Sequence, residues 1–137
     1  MTEVRTNNYD INNVYKDFDL SMSVHPLTGN YKTVNGINAV KRSIRHLMLS
    51  AKWDFPFNGD VYGGITESLF EQLSPTYLAS LEARMRDVLS KYERRIEVQD
   101  ITFEVQENSG NLFITIKYRI IAVEQVFETR ITLTRER

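Results

Sequence analysis

The stretch Tyr92-Glu93-Arg94-Arg95-Ile96 separates two periodicities, and no other feature restricts the fold as much. Before it, apolar residues recur at helical spacing; after it they recur at every second position, the period of a half-buried strand. A helix that ends this close to the start of a strand hands its apolar stripe directly to one face of a sheet. Three charges, Glu93, Arg94 and Arg95, are packed into the seam. They are open to three uses: catalysis, anion binding, or locking the seam to itself or to a partner. Tyr92 on the stripe and Ile96 in the sheet anchor both ends, which predicts that Glu93, Arg94 and Arg95 are held outward as a docking point.

On the helical side, Tyr77, Leu78, Leu81, Met85, Val88, Leu89 and Tyr92 fall in one arc of roughly 120°. Ser74 is placed to cap this helix and Pro75 to occupy its first position. Its polar side is self-balanced, with Glu82 and Arg86, and Asp87 and Lys91, each one turn apart. An earlier helix is predicted over 35–51, with Ile37, Val40, Ile44, Leu47, Met48 and Ala51 in an arc of roughly 100°. The neighbouring arc carries Lys41, Arg42 and Arg45, and there is no acid between Asn35 and Lys52. Like charges at i,i+4 cost a few tenths of a kcal/mol each, on the order of 0.3, so this face is either simply solvated or a docking surface for another chain. Between the helices, 53–64 is an aromatic, glycine-rich loop expected to pack on a core or a partner, and 65–73 is predicted as a short helix with Ile65, Leu69, Phe70 and Leu73 inward.

On the strand side, Ile101, Phe103 and Val105 alternate, Asn108-Ser109-Gly110-Asn111 is a hairpin turn, and Leu112, Ile114, Ile116, Tyr118 and Ile120 alternate in reply. Ile96 and Val98 have the opposite parity to Ile101, which predicts a bulge near Gln99-Asp100. A second turn at 122–125 leads to Phe127, Ile131 and Leu133. The expected register sets Val105 opposite Ile114, Phe103 opposite Ile116, Ile116 opposite Ile131 and Ile114 opposite Leu133. Glu104, Lys117, Arg119, Glu128 and Arg130 then share the other face. The last strand, through Thr129, Arg130, Ile131, Thr132, Leu133 and Thr134, is an edge whose backbone another chain could pair with.

Residues 1–16 are expected to be an extended arm, because Asn-rich polar sequence with isolated Val4, Tyr9, Ile11, Val14 and Tyr15 cannot form its own core. Phe18, Leu20, Met22 and Val24 predict a half-buried strand, His25 to Asn30 a turn, and Tyr31 to Thr33 a short return strand. Residues 17–137 then form one α+β domain, an antiparallel meander with two main helices and one short helix packed on one face.

Charge and composition narrow the function. With 17 basic and 18 acidic residues, the chain offers no global field for nucleic acid, and Lys41, Arg42 and Arg45 beside Trp53 and Phe55 match no nucleic-acid module. Cysteine is absent, which removes thiolate chemistry and Cys-type zinc sites; two histidines, His25 and His46, are too few for a metal site or a triad. No cofactor or catalytic residue is expected. No apolar run approaches the ~20 residues of a membrane helix, and the first nineteen residues lack the apolar core of a cleavable signal. One enzymatic alternative stays open, a glycosidase using Glu67 and Glu71 one helical turn apart with Asp60 nearby.

The order of features is similar to that of a known family. Asp19-Leu20-Ser21-Met22, His25-Pro26-Leu27-Thr28-Gly29 and Ala39-Val40-Lys41-Arg42-Ser43-Ile44-Arg45 are followed by Pro56-Phe57, Gly63-Gly64-Ile65, Leu69-Phe70-Glu71 and the seam itself. Together they resemble the baseplate wedge family of contractile-tailed phages, which has relatives in type VI secretion baseplates. The family's seam reads Glu-Pro-Arg, so Glu93 and Arg95 match and Arg94 stands where proline is usual; Asn30 stands where the family has Asp. The resemblance implies an inner-baseplate protein of the virion tail, assembled in the host cytoplasm in six copies around the tail tube. It implies other wedge subunits and the sheath as partners, with the last strand starting the sheath by strand exchange, and no nucleic-acid or membrane partner. Some members of the family are labelled lysozyme-like.

Overall fold

A computed structural model describes residues 15–19 and 21–135, so all of the expected N-terminal arm but its last two residues, and Leu20 of the first expected strand, lie outside the described residues. The chain divides into two compact units, residues 1–41 and 42–137.

In the first unit, β1 (Lys16–Phe18) pairs antiparallel with β2 (Thr33–Asn35), Asp17 opposite Val34. The strand expected from Phe18 onward is therefore displaced towards the N-terminus. Asp19 is the reason: its carboxylate accepts from the Ser21 amide at 3.1 Å, its carbonyl accepts from the Met22 amide at 3.0 Å, and Met22 adopts a φ of 52°. An Asx turn of this kind competes with the ladder. Beyond it Val24 and Tyr31 form an isolated bridge, around a turn closed by Gly29 N–H to His25 O at 3.0 Å with Gly29 at φ 68°. The apolar residues of this hairpin are not half-buried as their alternation predicts: Phe18, Met22 and Val24 are exposed.

α1 (Gly36–Leu49) follows, then a 3-10 helix (Glu67–Phe70), then α2 (Pro75–Tyr92). Ser74 caps α2 by accepting from the Tyr77 amide at 3.2 Å, with Pro75 in its first turn. Val40, Ile44, Leu47 and Met48 of α1 and Leu81, Met85, Val88 and Leu89 of α2 are buried as their spacing requires. Tyr92 is not a core residue; it keeps 38% of its surface. The short helix predicted over 65–73 is only four residues of 3-10 geometry, and Phe70, expected inward, is exposed. A 3-10 turn stacks i on i+3, so Glu67 and Phe70 share a side and the α-helical stripe does not form. Gly63 allows the preceding loop to lie on α1: a Cβ there would stand 2.6 Å from Met48 Cα.

Three strands complete the second unit, β3 (Ile96–Gln106), β4 (Asn111–Ile120) and β5 (Gln125–Thr134), in the order β3-β4-β5, all antiparallel. The expected bulge is present as a register shift between Val98 and Asp100. The register itself differs from expectation by two residues in both hairpins. Val105 faces Leu112 and Phe103 faces Ile114; Ile114 faces Ile131 and Leu112 faces Leu133. Each loop has four residues, closed by Gly110 N–H to Gln106 O at 2.9 Å and by Glu124 N–H to Ile120 O at 2.8 Å, with the last loop residue left-handed in both. A shift of two preserves the faces. Ile101, Leu112, Ile114, Ile116, Tyr118, Ile120, Ile131 and Leu133 are therefore buried, and Glu104, Lys117, Glu128 and Arg130 are exposed.

Two backbone bonds fix the phase of the ladder. Ile121 N–H donates to Arg95 O at 3.1 Å, and Arg135 N–H donates to Gly110 O at 3.3 Å. In an antiparallel strand, alternate residues direct both backbone groups to opposite sides. Val126, Glu128, Arg130, Thr132 and Thr134 therefore turn their N–H and C=O away from β4, as do Ile96 and Val98 on the other edge.

Candidate functional site

α2 is capped at its C-terminus by Glu93, whose amide still donates to Leu89 O at 3.0 Å. A carboxylate at a helix C-terminus opposes the macrodipole, so it needs a cation or a set of donors to be held there. Arg95, two residues on, supplies both: its Nε donates to Glu93 Oε1 at 2.7 Å, its Nη2 to Oε2 at 2.7 Å, and its amide to Oε1 at 3.3 Å. The Ser43 hydroxyl of α1 also bonds this carboxylate. One side chain thus joins α1, the end of α2 and the entry to β3.

This corrects the sequence expectation for Glu93, which is not held outward but is 2% exposed. Burial alone would raise its pKa, yet the Arg95 and Ser43 hydrogen bonds, the Arg95 charge and the Arg95 amide together hold the carboxyl below its usual value. Tyr118 of β4 senses the same charge: burial first, and the Glu93 carboxylate with it, push its phenol up, while its bond to Thr129 Oγ1 at 3.1 Å pulls it down. Arg95 is half-buried and Arg94 is exposed, so of the three seam charges Arg94 is the one that faces solvent.

Of the three cations expected on the first helix, Lys41 and Arg45 are exposed and Arg42 is half-buried. Their counterparts on α2 pair as predicted, Arg86 with Glu82 at 2.9 Å and Lys91 with Asp87 at 3.0 Å. Along the last strand, Arg130, Thr132 and Thr134 are exposed and Thr129 is half-buried, while Ile131 and Leu133 belong to the core. β5 ends the sheet, and no strand pairs with its outer side among the described residues.

Glu67 and Glu71 are brought no closer to a glycosidase arrangement. Glu67 begins the 3-10 helix, Glu71 follows it in extended conformation, and both are exposed. A general acid needs an apolar pocket to keep its proton, and neither carboxylate has one. Sequence reasoning missed the side chains that the 53–70 segment displays. Trp53, Phe57 and Phe70 keep 70%, 102% and 86% of their surfaces, whereas Val61, Tyr62 and Ile65 of the same segment are buried. The positive φ of Trp53, 76°, turns the chain there, and apolar composition alone does not reveal it.

Comparison with known proteins places these features in context. The family described as baseplate wedge protein gp25 matches residues 34–125, about two-thirds of the chain. The baseplate wedge protein gp25 of Enterobacteria phage T4 is 21% identical over 112 residues, covering 82% of this chain and 84% of that protein. A crystal structure of a Geobacter sulfurreducens protein assigned as a tail lysozyme aligns with a TM-score of 0.61 at 25% identity, over 72% of this chain and 89% of the other. The baseplate of the anti-feeding prophage contains a chain that aligns with a TM-score of 0.61 at 16% identity, over 89% of this chain and 86% of that one; this likeness is one of fold.

Proposed function

The chain belongs to the baseplate wedge protein gp25 family, and from that footing we propose that it joins neighbouring baseplate components and starts the contractile sheath through β5. It is a structural protein of the phage tail baseplate, and its place is the virion tail. In the finer reading, six copies surround the tail tube after assembly in the host cytoplasm, bound to other wedge proteins. The observation that carries the sheath role is the open outer side of β5, where Val126, Glu128, Arg130, Thr132 and Thr134 turn their backbone groups outward. A sheath strand could add there by main-chain pairing without disturbing Ile131 or Leu133. Docking to wedge partners is assigned to Arg94 and to Lys41, Arg42 and Arg45. Glu93 and Arg95 support that contact from behind by fixing the seam.

Truncation at Thr129 cannot test this, because it also removes Ile131 and Leu133 from the core. Thr132→Pro can: proline on an edge strand is tolerated where the lost N–H faces outward. The variant is expected to fold and to enter baseplates that then fail to nucleate sheath in a complementation assay. Normal sheaths on such baseplates would sink the strand-exchange reading. In parallel, the purified chain is expected to hydrolyse no cell wall above background, and a Glu67→Gln, Glu71→Gln double variant to behave identically.

A further inference from the structure

The opposite side of the sheet carries a second, differently built feature. A groove of about 630 Å³ lies between α2 and the start of β3. Arg86, Asp87 and Ser90 of α2 line one side, Ile96 and Val98 of β3 the other, and Arg94 lines it from the connection between them. Because Arg95 directs its carbonyl to Ile121, just past the end of β4, Ile96 and Val98 direct their N–H and C=O to the outer edge that borders this groove, which no strand among the described residues pairs with. The shift between Val98 and Asp100 ends the regular edge, leaving three residues, about 10 Å at 3.3 Å per residue.

The charges around the groove settle what it can hold. Arg86 is paired with Glu82, Asp87 with Lys91, and Glu97, which also lines the groove, with Arg119. Arg94 has no ion-pair partner among the described residues, so the one uncompensated charge lining the groove is a cation. We propose that this groove binds a short extended segment of a partner protein as an added strand on β3, with an aspartate or glutamate side chain paired to Arg94. A chain-terminal carboxylate fits less well, because capture of a terminus uses a nest of free amides. The amides flanking Arg94 are already bonded, Glu93 N–H to Leu89 O and Arg95 N–H to Glu93 Oε1. The site lies on the edge opposite to β5 and stands whether or not β5 receives a sheath strand.

The full chain can be titrated with an acetylated and amidated hexapeptide of alternating valine and threonine carrying one glutamate, and with the same peptide carrying lysine instead. Amide shifts are followed by nuclear magnetic resonance. The glutamate peptide is expected to shift the Ile96 to Val98 amides and to bind at least tenfold more tightly than the lysine peptide, on the scale of one new charge-assisted pair. Arg94→Glu is expected to invert that preference, and Ser90→Trp, at an exposed position on the groove wall, to abolish binding while the urea midpoint is unchanged. Equal binding of the two peptides, shifts along β5 without shifts at 96–98, an unaltered preference in Arg94→Glu, or no shifts at millimolar peptide would each overturn the proposal.

Discussion

At the scale of single residues, Glu93 carries the most consequence. The charge cluster at the seam was legible in the sequence, but its direction was not, because arc counting assigns sides only within a helix and Glu93 sits just past the last turn. A signal did exist: an acid at a helix C-terminus is out of place electrostatically unless a specific partner holds it. Glu93→Ala leaves the Arg95 guanidinium and the Ser43 hydroxyl without their acceptor, and a loss of about 3 kcal/mol in urea denaturation is expected, as for one partner removed from a buried pair. Arg95→Glu, which sets a second acid beside a buried one, is expected to unfold the chain at neutral pH rather than to abolish docking alone. The pH dependence has a definite sign. The Glu93 pKa is lower in the fold than its unfolded value near ~4.3. Its stabilisation is therefore present in full above that value and is lost as pH falls through the lower folded pKa. Urea midpoints of the parent between about pH 3 and 6, a span that brackets the free carboxylate values, should fall towards acid more steeply than those of Glu93→Gln.

At the scale of elements, parity was legible and register was not. Alternation in 101–120, its continuation through Phe127, Ile131 and Leu133, and the parity break at 96–98 located three strands, the buried face and the bulge. Both pairings nevertheless came out two residues from expectation, because loop length rather than side-chain pattern sets which of the equivalent same-face registers is used. The loops give a test. Glu124 closes the second hairpin at φ 54°, a region that Gly110 occupies freely in the first. Glu124→Gly is expected to raise stability by up to about 1 kcal/mol, read as a higher urea midpoint, since relief of left-handed strain works against the added chain entropy. Gly63→Ala works in the other direction. Its Cβ would meet the Met48 backbone, so a loss of about 2 kcal/mol is expected, measured as a lower melting temperature. The N-terminal alternation misled for a different reason: Asp19 made an Asx turn that a pattern of apolar residues does not weigh.

At the scale of the whole molecule, the α+β class and the helix-to-sheet order were legible, whereas the surfaces a partner would meet were not. Exposed Trp53 and Phe57 lie in a loop without regular periodicity, so nothing in the sequence separates them from buried Val61 and Tyr62, and Phe70 departs from its expected inward side because its turn is 3-10 rather than α-helical. Trp53 is the sole tryptophan and is 70% exposed, which makes it an internal reporter. In the isolated chain its fluorescence should be of the water-exposed kind and strongly quenched by acrylamide. On incorporation into baseplates, shielding of Trp53 would place this loop in an interface, and unchanged quenching would remove it from consideration.

The phase of β5 bears on how force would cross such an assembly. β4 and β5 are matched over ten residue pairs, and their hydrogen bonds lie across the strand direction. A pull along β5 loads those bonds in parallel, as shear, so they must fail together; a pull at right angles peels them pair by pair from one end. A strand added to the outer side of β5 would inherit the same anisotropy. The junction would be stiff to tension along the strand yet open readily when levered sideways.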